Sequence, residues 1–185
     1  MDTETEYEKS VSGLVPVDYV RKINLPKIPE NLLPDLEEWN YYEKLEKTGI
    51  SKGMASASRY RYTYELLNHE LNKWCQENVC DSALFQFVVS NGLDIHKDKS
   101  IDGKNFITTG RLVYPIVTGS SNATTCFWSP DKKTKIKEYI LEPYNWYILA
   151  SSNYHSVSNV PKDAYRLIVT SRFLHEKLAP EDIRL

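Results

Sequence analysis

The sequence predicts a mainly β fold with N-terminal helices, an α+β chain whose strands form a sandwich or barrel with the helices packed on one outer face. Two early stretches, Asp35–Lys47 and Tyr62–Asn78, repeat apolar residues at helical spacing. From Ala83 onward the apolar runs shorten to strand length. Turn clusters separate those runs at fairly even intervals, as a sandwich or barrel requires.

Size and charge set the outer limits. The chain has 185 residues, enough for one domain or a domain with a tail, at roughly 100–200 residues per domain. Residues 1–34 read as an extended arm and residues 35–185 as one domain, with helices over 35–80 and strands over 83–174. Hydrophobic residues make up 41% and charged residues 26%, the balance of a globular chain with a sizeable core. No apolar run approaches the ~18 residues of a membrane-spanning helix. Met1–Ser10 is acidic and polar rather than a leader, so cytoplasmic residence is the expectation. A net charge of −2 argues against a protein that mainly coats phosphate backbones. Cys75, Cys80 and Cys126 are odd in number and lack C-x-x-C spacing, so they read as reduced and structural.

Each element has its own signal. Pro16, Pro26, Pro29 and Pro34 make residues 1–34 resist helix and central strand. The first ten residues are expected to be disordered. Pro34 suits the first turn of a helix over Asp35–Lys47, which Thr48-Gly49 ends. Ile50–Arg59 is small and polar and reads as a loop. Leu66, Leu67, Leu71, Trp74 and Cys75 form the stripe of the second helix, Tyr62–Asn78. Ala83–Ser90 is too apolar for an exposed ribbon and is followed by the turn signal Asn91-Gly92. Leu93–Lys97, Thr108–Thr118, Thr124–Trp128, Lys135–Leu141, Trp146–Ala150, His155–Val157 and Tyr165–Phe173 complete the strands. Lys132–Lys137 reads as a solvated basic hairpin, and Arg59-Tyr60-Arg61-Tyr62 as the amphipathic start of the second helix.

The four histidines divide. His69, in the second helix, and His175, in the charged tail, read as surface residues. His96 lies in Asp94-Ile95-His96-Lys97-Asp98, and in an extended chain His96 and Asp98 share one face. His155 comes 59 residues later, opening another strand. Two histidines and one carboxylate on one face of a metal form the facial triad that suits non-haem Fe(II). Arg166, 11 residues further on, opens the apolar strand Leu167-Ile168-Val169. A guanidinium pointing into a core needs an anion, and its planar fork fits a carboxylate.

The ordered set His96-x-Asp98, His155 and Arg166 resembles the Fe(II)- and 2-oxoglutarate-dependent oxygenase superfamily, over about Ala83–Phe173. The resemblance implies a double-stranded β-helix, or jelly-roll, core. It implies that His96, Asp98 and His155 hold Fe(II), with O2 and 2-oxoglutarate as co-substrates. It implies that Arg166 binds the distal carboxylate of 2-oxoglutarate. Many members carry Ser or Thr two residues after this arginine; here Ile168 stands there, and Thr170 or Arg172 is the expected substitute. Tyr114 resembles a position that donates to the co-substrate, or is a plain core aromatic. Arg111, three residues earlier, then faces the other way and reads as surface. Asn153 and Ser152 are near enough to orient the histidines.

The implied activity is hydroxylation of a C–H bond in a small molecule or a protein side chain, coupled to conversion of 2-oxoglutarate to succinate and CO2. A nucleic-acid demethylase or hydroxylase is the second expectation, because Arg166 and Arg172 match the Arg-x5-Arg spacing of AlkB-type enzymes. A non-catalytic jelly-roll binding domain is the third. The loops Ile50–Tyr60, Lys99–Phe106 and Gly119–Thr125 are expected to choose the substrate.

Overall fold

Apolar strands that must be covered on both faces, most of them joined by short turns, close on themselves as layered antiparallel sheets. The computed structural model describes residues 19–34, 51–56, 59–66, 69–80, 84–98, 111–151 and 153–171. The elements are β1 (Val20–Ile23), a 3-10 turn (Glu30–Leu32), β2 (Ser51–Ser56), β3 (Arg59–Glu65), α1 (Glu70–Asn78), β4 (Phe85–Ser90), β5 (Leu93–His96), β6 (Arg111–Val117), β7 (Thr124–Trp128), β8 (Lys135–Tyr139), β9 (Trp146–Leu149), β10 (His155–Ser158) and β11 (Arg166–Ser171).

The strands form a seven-stranded sheet, ordered β1-β9-β6-β11-β4-β3-β2, and a four-stranded sheet, ordered β5-β10-β7-β8. From β4 onward the chain crosses back and forth between the two sheets. The inner four strands β9-β6-β11-β4 face β5-β10-β7-β8, the eight-strand arrangement of a jelly roll. Every pairing is antiparallel. Asn91-Gly92, with Gly92 at φ 122, turns the chain from one sheet to the other rather than closing a hairpin.

The inner strands β4, β6, β9 and β11 of the large sheet are buried on both faces. Val88, Val113, Phe127, Tyr147, Leu149 and Ile168 fill the space between the sheets. Phe85, Phe87, Val89, Leu112, Tyr114, Leu167 and Val169 point the other way, onto α1 and the N-terminal segment through Leu71, Cys75 and Ile28. This is why β4, β6 and β11 read as continuous apolar runs rather than alternating ones.

Two expectations need correction. The second helix begins at Glu70, because Arg59–Glu65 is a strand between β2 and β4. The alternation Arg-Tyr-Arg-Tyr-Thr-Tyr is a period of two, which favours β structure over the helical stripe extended back from Leu66. The loop expected at Ile50–Arg59 contains β2, paired with β3. The N-terminal arm carries β1, an edge strand on β9, in the proline-free stretch between Pro16 and Pro26. His69 is the N-cap of α1, its Nδ1 accepting the Leu71 N–H at 3.1 Å. The helix expected at 35–47, residues 1–10, the loop 99–106 and His175 lie outside the described residues. Among the described residues no helix is long and apolar enough to cross a membrane.

Candidate metal centre

β5 and β10 are neighbours in the four-stranded sheet, and their register pairs His155 directly with His96. The same register sets His155 beside Phe127 of β7. The two imidazole rings lie 4.3 Å apart, centroid to centroid. Asp98 follows His96 by two residues, and its backbone N–H donates to the Ser151 carbonyl at 2.9 Å, which keeps the segment extended past the strand end. Asp98 Oδ1 then lies 3.9 Å from His96 Nε2. One ligand atom from each of His96, Asp98 and His155 falls within 4.8 Å of the others, close enough for one cation.

The tautomers follow from the neighbours. His96 Nδ1 is 2.7 Å from the Asp94 carbonyl, and His155 Nδ1 is 2.9 Å from the Asn153 carbonyl. A carbonyl only accepts, so each Nδ1 carries the proton and donates it, and each Nε2 is then the ring nitrogen whose lone pair can meet a metal. Asn153 therefore orients His155 through its backbone, while its side-chain amide donates to Ala150. Ser152 lies outside the described residues.

Electrostatics keep His155 and Asp98 in their binding forms. Burial, reinforced by the neighbouring His96, lowers the His155 pKa to about 4, so the ring is neutral at pH 7. Burial alone would raise Asp98, but the neighbouring Arg111 guanidinium, with the two imidazoles and a hydrogen bond from Ser151, outweighs it and holds the carboxylate below its usual range. Arg111 is not a surface residue: its Nε lies 3.1 Å from Asp98 Oδ2. Two imidazole nitrogens and one carboxylate within 4.8 Å of one another fit a divalent cation.

Arg166 sits in the same interlayer space, 6% exposed, its pKa lowered to about 10 by burial. Among the described residues no carboxylate pairs with it. Its cavity is lined by Thr118, Ala123, Thr124, Thr125, Leu141 and Val157. Val157 and Thr125 are paired two positions along from the His155–Phe127 pair. The guanidinium cavity is thus displaced from the histidines by about 6–7 Å of strand.

The remaining expected residues fall elsewhere. Tyr114 faces the outer core, against Trp146 at 4.9 Å and with a hydrogen bond to the Ile28 backbone. β6 does place Arg111 and Tyr114 on opposite faces, but Arg111 is the one pointing inward. Thr170 faces the interior, yet its hydroxyl donates to the Leu112 carbonyl at 2.7 Å. Ile168 is part of the inter-sheet core and supplies no polar atom. Arg172 lies outside the described residues. Thr118 and Thr125, not singled out from sequence, line the Arg166 cavity. Thr124 lines it too, but its hydroxyl accepts from Asn159.

No family model matches this chain. No curated protein matches it either. Among solved structures, variants of oxalate decarboxylase from Bacillus subtilis align at 12% identity and TM-scores of 0.38 and 0.39. The match covers 71% of this chain but only 29% of that chain. A cupin-like protein from Thermotoga maritima aligns at 12% identity and a TM-score of 0.35, covering 72% of this chain and 90% of its own.

Proposed function

We propose that this protein is an Fe(II)- and 2-oxoglutarate-dependent dioxygenase acting on a small molecule or a protein side chain. The reading is carried by one juxtaposition: a His96/Asp98/His155 cluster within 4.8 Å, with a buried Arg166 lacking a carboxylate partner among the described residues in the same space. Three protein ligands on one side of a cation leave the other side open. Fe(II) held there, with 2-oxoglutarate and O2, supplies hydroxylation of a C–H bond coupled to formation of succinate and CO2.

The chain's own residues bind, orient and shield. His96 and His155 present their Nε2 atoms, fixed by the Nδ1–H bonds to Asp94 and Asn153. Asp98 presents Oδ1. Arg166 grips the distal carboxylate of 2-oxoglutarate through its fork. Thr118 and Thr125 stand in for the hydroxyl that Ile168 does not supply. Phe127, Val157 and Leu141 keep water from the interior around the bound co-substrate. The net charge of −2 ranks a small molecule or protein side chain above a nucleic acid.

Anaerobic protein mixed with Fe(II) and 2-oxoglutarate is expected to show a visible metal-to-ligand charge-transfer band. His96→Ala and Asp98→Ala should each abolish it, together with succinate release. A wild-type protein that binds a divalent cation but shows no such band is instead a metal-binding jelly roll without this chemistry. Succinate release against pooled amino acids, peptides and nucleic acids then sorts the substrate classes.

A further inference from the structure

Arg111 opens β6 in the seven-stranded sheet, whereas Asp98 follows β5 in the four-stranded sheet. Their side chains meet across the interlayer space, 16% and 9% exposed. The two carboxylate oxygens of Asp98 have different neighbours. Oδ2 lies 3.1 Å from Arg111 Nε, and Oδ1 is 3.9 Å from His96 Nε2. The main chain at Asp98 is itself held by the bond from its N–H to the Ser151 carbonyl. The carboxylate therefore has its backbone and one oxygen anchored, with the other oxygen aimed at the histidines.

We propose that Arg111 is a positioning residue for the metal centre: it holds Oδ2 so that Asp98 meets a divalent cation through Oδ1 alone, which keeps the carboxylate monodentate and the ligand set on one face. This rests on the reading of His96, Asp98 and His155 as ligands. Charge and position act in opposite directions here. A guanidinium beside a divalent cation repels it, so removing that charge should by Coulomb's law alone tighten binding. Removing a group that orients a ligand should loosen binding, typically by about 10–100-fold. The sign of the change separates the two roles.

Mn(II) affinity, read from the EPR signal of free Mn(II), and the d–d spectrum of bound Co(II) are compared in the wild type, Arg111→Met and Arg111→Lys, with circular dichroism to check folding. Arg111→Met is expected to bind Mn(II) about 10–100-fold more weakly. Its Co(II) spectrum should change as the second carboxylate oxygen becomes free to coordinate. Arg111→Lys, which keeps the charge without the planar fork, should recover part of the affinity. Equal or tighter Mn(II) binding by Arg111→Met, or an unchanged Co(II) spectrum, overturns the proposal. Should Arg111→Met fail to fold, Arg111→Lys decides alone: weaker binding than wild type supports the role, and equal binding overturns it. If the wild type binds neither ion, the ligand assignment itself fails and this inference with it. If it binds both and the variants match it, only this inference fails.

Discussion

A guanidinium held inside a protein without an anion costs stability, because little replaces the water it has lost. Arg166 is in that position among the described residues. Arg166→Met should therefore leave the apo protein as stable or more stable, while weakening 2-oxoglutarate binding about 10–100-fold through loss of charge-assisted hydrogen bonds. Calorimetric titration with 2-oxoglutarate, beside a melting curve, checks both halves; Mn(II) affinity should stay unchanged. Tyr114 gives the opposite expectation. Its ring packs in the outer core and its hydroxyl bonds to the Ile28 backbone, so Tyr114→Phe should cost about 1 kcal/mol of stability and leave 2-oxoglutarate affinity intact. Denaturant midpoints and the same titration test it. His96, Asp98, His155 and Arg166 are singled out by their order along the chain and its resemblance to the oxygenase superfamily, with Arg166 also conspicuous as a charge in an apolar strand. The inward direction of Arg111 was not legible in the sequence. β6 is buried on both faces, so alternation separates Arg111 from Tyr114 without saying which of them faces the second sheet.

At the scale of elements, the strands after Ala83 follow from their turn signals, and their bounds lie within a few residues of those the sequence implies. Thr124–Trp128 coincides with β7. The misreading at β3 came from counting Leu66 into the helical stripe, when it follows the end of a strand. Gly119 shows how tightly the turns are built. It has φ +78, and a Cβ there would lie 2.7 Å from the Tyr165 carbonyl oxygen and 2.9 Å from Val160 Cγ1. Gly119→Ala should destabilise the protein by about 2 kcal/mol or more, through backbone strain and displacement of the segment leading into Arg166. Chemical denaturation measures the first effect. Weakened 2-oxoglutarate binding would report the second.

At the scale of the molecule, one large sheet separates two cores, and both must stay dry. Cys75 lies in the outer core, fully buried between α1 and the sheet, and burial raises its thiol pKa from 9.0 to about 12. The folded state thus keeps a proton that the unfolded chain releases above pH 9. The stability tied to this thiol is fully present below pH 9 and is lost progressively toward pH 12, by a few kcal/mol in all. Melting temperatures between pH 8 and 11 should fall more steeply in the wild type than in Cys75→Ala, whose baseline is lower because of the missing sulfur.

Local patterning in the sequence determined the strands after Ala83 and the turns between them, and the order His96-x-Asp98, His155, Arg166, with its family resemblance, named the four candidate functional side chains. Extended backbone alternates faces, glycine and asparagine mark turns, and a charged residue stands out in an apolar run. Only the tertiary structure decided that β5 pairs with β10 so that His96 meets His155, that Asp98 faces Arg111, and that Arg166 looks into a threonine-lined cavity. Those outcomes depend on register and on which side of a doubly buried sheet faces its partner. Both are set by long-range packing, to which period-two alternation is blind.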